Sequence, residues 1–146
     1  MLLGEAADRG LDDHEETTMY HRILVAADSG GLAAEAAPAV AALAEPRDAQ
    51  VLVVSIHVRV TPDRERRGEE FLQNLVHQLR ERHLNVRVER PEPAGESVAQ
   101  GIADAAQAFG ADLIVLGSRR HGDVFGFFAG SVGHALAARV RIPILF

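Results

Sequence analysis

Three unbroken apolar runs constrain this chain more than any other feature: Ile23 to Ala27, Val51 to Ile56 with only Ser55 polar, and Leu113 to Leu116. A strand apolar at nearly every position must bury both of its faces, which happens in a parallel sheet covered by helices on each side. Val86 and Val88 alternate with Arg87 and Glu89, the pattern of an edge strand. A last short strand is expected from Ile142 to Phe146, with Pro143 inside it, and proline's missing donor again favours an edge.

Helical patterns fill the intervals. Phe71, Leu72, Leu75, Val76 and Leu79 fall on one helical face, with Glu69, Gln73, Arg80 and Glu81 elsewhere. Val98, Ile102, Ala105, Ala106 and Phe109 repeat the pattern, and Gly110 is placed to cap that helix. An Ala-rich first helix is expected over Leu32 to Ala44 with a bend at Pro38, and Ser131 is a good N-cap for a last helix to about Ala138. The order βαβαβαβαβ predicts one doubly wound, Rossmann-like α/β domain with a parallel sheet and right-handed crossovers. Such sheets bind ligands beyond the carboxyl ends of their strands.

The 146 residues suit one domain, assigned here to residues 20–146. Residues 1–19 carry six acids against one arginine, have no sustained apolar period and read as a disordered acidic tail. The remainder is therefore close to neutral, which gives no footprint for nucleic acid. No apolar run approaches the ~20 residues that cross a bilayer, and the start lacks the pattern of a secretory signal, so a cytoplasmic protein is expected. Cysteine is absent, which removes thiol catalysis and thiolate metal sites. All fifteen basic residues are arginine, which excludes lysine-dependent phosphate loops and Schiff-base chemistry.

The most informative stretch joins an apolar strand to a helix: Leu116, Gly117, Ser118, Arg119, Arg120, His121, Gly122 and Asp123, then on to Gly130, Ser131 and Val132. Gly117 at a strand end lets a ligand approach the backbone. Gly130 and Ser131 open a helix whose free N–H groups and positive dipole end attract anions. Ser29-Gly30-Gly31 resembles the phosphate loop of ATP pyrophosphatases, but Ala33 and Ala34 stand where that loop has aspartate and serine. The seven histidines show no paired spacing and no carboxylate cluster of metal-site type, so no metal-only site is expected. No serine nucleophile elbow is present.

From about Arg22 to Phe146 the sequence resembles the universal stress proteins, whose nucleotide-binding members carry G-x2-G-x9-G-(S/T). Here that motif reads Gly117, Arg120, Gly130 and Ser131. Asp28 closing the first strand, Ala-Asp-Leu-Ile-Val-Leu-Gly-Ser from Ala111 to Ser118, Gly-Ser-Val from Gly130 and the terminal Ile-Pro-Ile support the match. The resemblance implies five strands in the order 3-2-1-4-5 and a site for ATP with Mg²⁺. It implies that Ala26, Ala27 and Asp28 meet the adenosine and metal, with Asp28 as ribose or Mg²⁺ partner, and that Ile56 lies along the adenine. Leu116, Gly117, Gly130, Ser131 and Val132 then line ribose and phosphates.

Arg120 stands where the motif has its second glycine. If the backbone there has positive φ, arginine costs about 1–2 kcal/mol and its Cβ narrows the approach to the triphosphate. Arg119 and Arg120 could instead supply charge-assisted bonds to phosphate oxygens. The expected function is an ATP-binding, homodimeric stress-response regulator with an unidentified protein partner, paired through the C-terminal strand. The alternative is a relative that has lost nucleotide binding and serves as a dimeric interaction module. No general base paired with an activated nucleophile can be named, so any ATP hydrolysis is expected to be slow.

Overall fold

A computed structural model describes residues 19–27, 36–55, 61–91, 97–116 and 132–146. The apolar runs become strands β1 (Arg22–Ala27), β2 (Gln50–Ser55) and β4 (Leu113–Leu116), joined by β3 (Asn85–Glu89) and β5 (Ile144–Leu145). All five are parallel in the order β3-β2-β1-β4-β5. Helices α1 (Ala36–Leu43), α2 (Pro62–Glu81), α3 (Val98–Phe109) and α4 (Gly133–Ala137) alternate with them. The edges of the sheet are β3, which alternates apolar and charged residues, and the two-residue β5.

Alternation along each strand divides the core between two faces. Ile23, Val25, Val51, Val53, Leu113 and Val115 pack with α1 and α2, burying Val40, Leu72, Leu75, Val76 and Leu79. Leu24, Ala26, Leu52, Val54, Ile114 and Leu116 pack with Ile102, Ala106, Phe109 and Leu136 from α3 and α4. Every side chain of β4 is buried, as a central strand covered on both faces requires.

Local signals explain where α3 begins and ends. The Ser97 hydroxyl accepts the Gln100 N–H at 3.1 Å, which satisfies a donor the first turn leaves open. At the other end Gly110 takes φ 76° and ψ 38°, and the N–H groups of Gly110 and Ala111 return to the Ala106 carbonyl. A side chain at that φ would be strained, so the glycine is a backbone requirement.

Two details differ from the sequence reading, and two expectations fall partly outside the described residues. Phe71 is 46% exposed, because it sits about 100° from Leu72 around the helix and falls outside the buried stripe. The last strand pairs only at Ile144 and Leu145, and Pro143 precedes it, giving its carbonyl to the Ile114 N–H at 3.0 Å. The first helix is described over Ala36–Leu43, with Pro38 exposed within it, and residues 32–35 of the expected helix lie outside the described residues. Within the last helix Val132 already has helical dihedrals with no side-chain cap, while the expected N-cap, Ser131, lies outside the described residues.

The expected tail falls almost wholly in residues 1–18, also outside the described part. Tyr20 is held to the domain: its N–H donates to the Leu43 carbonyl at 2.9 Å, and its carbonyl accepts from Glu45 at 2.8 Å. No described helix is long and apolar enough to cross a membrane.

Candidate nucleotide site

The order of the strands locates a crevice. From β1 the chain winds outward through β2 to β3, then crosses back over the sheet to β4 on the other side of β1. Connections leaving the carboxyl ends of β1 and β4 therefore run to opposite sides, and ligands of doubly wound sheets settle where this divergence opens the edge.

Four of the ten expected site residues are described: Ala26, Ala27 and Leu116 end adjacent strands, and Val132 precedes α4. Ala26 pairs with Leu116 of β4 on one side and with Val54 of β2 on the other, while Ala27 pairs with Ser55. Ala26, Ala27 and Leu116 are only 1%, 6% and 1% exposed, so these strand ends are part of the core as well as of the sheet's carboxyl edge. Ala26, Leu116 and Val132 belong to one core face and Ala27 to the other. β1 ends in two alanines, Ala26 and Ala27. Asp28, Ile56, Gly117, Arg120, Gly130 and Ser131 lie outside the described residues. The four described residues carry no ionisable group.

A second part of the sequence pattern has a different role. Asp112, within the Ala111–Ser118 segment, sits at the amino end of β4, across the sheet from the crevice. Its two carboxylate oxygens accept the backbone N–H groups of His21 and Arg22, each at 2.9 Å, and its own N–H donates to the Arg22 carbonyl at 2.8 Å. Asp112 thus locks the starts of β1 and β4 in register and takes no part in the site. The Arg22 guanidinium lies 5.5 Å from the Phe109 ring centroid and donates to the Phe109 carbonyl, tying the end of α3 to the same corner.

Sequence spacing hides one group of ligating side chains. His21, Glu45 and Asp48 place a ligand atom each within 4.8 Å of one another, although they belong to the start of β1 and the turn before β2. The absence of a histidine–carboxylate cluster in the sequence therefore does not carry over to the fold. The Glu45 carboxyl is held below the usual carboxylate range, first by the N–H of Arg47 and also by Asp48 and the charge of His21. Of the other described histidines, His77 pairs with Glu81 at 3.0 Å on the exposed side of α2, and His83 and His134 are exposed.

Residues 19–146 match the model of the universal stress protein family. This chain belongs to that family. A universal stress protein from Thermus aquaticus is 33% identical over 137 residues, which cover 87% of this chain and 98% of that protein. Among solved structures, a universal stress protein family member from Burkholderia pseudomallei has 27% identity and a TM-score of 0.63, covering 87% of this chain and 95% of its own. The universal stress protein of Archaeoglobus fulgidus in complex with dAMP shares the fold at 21% identity and a TM-score of 0.65, over 88% of this chain and 98% of that one.

Proposed function

We propose that this universal stress protein binds an adenine nucleotide, ATP with Mg²⁺, and acts as a cytoplasmic homodimeric regulator whose surface changes with occupancy. The observation carrying this reading is that β1 and β4 end side by side at the sheet's carboxyl edge, Ala26 against Leu116, where the strand order switches. The dAMP complex of the Archaeoglobus relative supports the ligand class. Asp28 follows this edge in sequence and would hold the ribose or Mg²⁺. Ile56 would lie along the adenine, and Gly117, Gly130 and Ser131 would receive ribose and phosphates together with Leu116 and Val132. When bound, Mg²⁺ would neutralise phosphate charge.

Protein purified without added ligand is expected to release an adenine nucleotide on denaturation. ATP at 100 times its dissociation constant should stabilise the fold by about 2.7 kcal/mol, read as a rise in melting temperature. Ligand-free protein that shows no such rise would sink this reading. It would favour the second one, an interaction module without nucleotide, for which Arg120 in place of the motif's second glycine is the motive.

The dimer is assigned to β5. This strand has only β4 as a neighbour, and Leu145 and Phe146 are 37% and 58% exposed. An open edge with apolar side chains invites a second copy to add its own strand. Removing residues 143–146 should convert a dimer to a monomer in light scattering. Full-length protein that is monomeric at high micromolar concentration would rule out this interface.

A further inference from the structure

We propose that His21, Glu45 and Asp48 bind one divalent transition-metal ion, Zn²⁺ being the best match, at the amino end of the sheet. Their ligand atoms lie within 4.8 Å of one another. The place is separated from the candidate nucleotide edge by the length of β1, about 20 Å for six residues.

The backbone carrying these side chains is fixed before any ion arrives. The Glu45 N–H donates to the Tyr20 carbonyl and the Gln50 N–H to the His21 carbonyl, both at 2.8 Å, so the entry to β1 and the turn before β2 move together. Glu45 Oε1 accepts the N–H groups of Arg47 at 2.7 Å and Asp48 at 3.2 Å, which sets the plane of that carboxylate. His21 Nδ1 lies 4.0 Å from Asp112 Oδ2, and Asp112 is itself anchored on two backbone N–H groups. At that distance the ring and the carboxylate make no hydrogen bond, but Asp112 adds negative charge beside the imidazole.

Charge gives the second argument. Two carboxylates held this close repel until a proton or a cation comes between them. Arginine is abundant in the chain, yet among the described residues none pairs with Glu45 or Asp48; the arginine ion pairs use Asp63, Glu69 and Glu89. One nitrogen and two carboxylate oxygens suit Zn²⁺ or Co²⁺ better than Mg²⁺, which prefers oxygen alone. Ligands on an ion at about 2.1 Å stand no more than about 4.2 Å apart, so side chains whose ligand atoms are already within 4.8 Å need only shift slightly. His21 and Asp48 are exposed and free to do so.

The test uses the full chain, stripped with a chelator and free of nucleotide, so that it stands or falls apart from the nucleotide reading. Co²⁺ is titrated by visible absorption and Zn²⁺ by calorimetry. One ion per chain is expected, with micromolar affinity and a rise in melting temperature. His21→Ala and Asp48→Asn should each weaken binding by about tenfold or more, whereas His77→Ala should leave it unchanged. Melting curves without metal establish that each variant is folded. No binding at millimolar metal would overturn the proposal, as would parent-like binding by folded His21→Ala and Asp48→Asn proteins, which would put the ion on other groups.

Discussion

Gly130→Val is expected to abolish measurable ATP binding while leaving the domain folded. The resemblance puts Gly130 where the phosphates pass, two residues before Val132 in sequence and outside the described residues. An isopropyl group there would occupy the volume of a phosphate and shield the N–H groups that should receive it. The expected loss is about a hundredfold or more in affinity, near 2.7 kcal/mol, with a melting curve without ligand close to that of the parent. Unchanged ATP affinity would refute the site. Arg120→Gly is the companion experiment: tighter binding means that the arginine obstructs the loop, and weaker binding means that it contacts phosphate.

Leu79→Ala should be the most damaging of the simple substitutions in α2. Leu79 is fully buried against the sheet with Val51, Val53 and Val86 in the same cluster. Truncation leaves a cavity that a rigid strand cannot fill, costing about 2–5 kcal/mol. In a domain of this size that is a fall of roughly 10 °C in melting temperature. Phe71→Ala, in the same helix and with a larger side chain removed, should change stability by no more than about 0.5 kcal/mol because the ring is largely in solvent. Equal losses for the two variants would contradict the placement of α2 on the sheet.

That contrast marks the limit of reading a helix by period. Leu72, Leu75, Val76 and Leu79 form a stripe that any straight α-helix presents on one side. Phe71 lies at its margin, and the packing of α2 on the sheet leaves it out. The candidate site divides in a similar way. Its strand ends, Ala26, Ala27 and Leu116, follow from where the apolar runs stop, and the structure brings them together as neighbours in register. Asp112, quoted in the same pattern as those residues, belongs to the opposite end of the sheet. Motif membership carries no information about which end of a strand a residue serves.

The sequence by itself determined that the chain forms a parallel α/β sheet, because strands apolar at every position have nowhere else to bury both faces. It also determined the stop of α3, since Gly110 supplies a left-handed conformation that other residues resist. Both are local effects, settled within a few residues. Only the tertiary structure decided that β5 pairs over two residues, that Phe71 remains in water, and that His21, Glu45, Asp48 and Asp112 gather at one corner. Those outcomes depend on the crossover that returns the chain past β1 and on the register of distant strands. Two segments meet because the hydrogen-bonded sheet places them side by side, and no periodicity within either segment encodes that meeting.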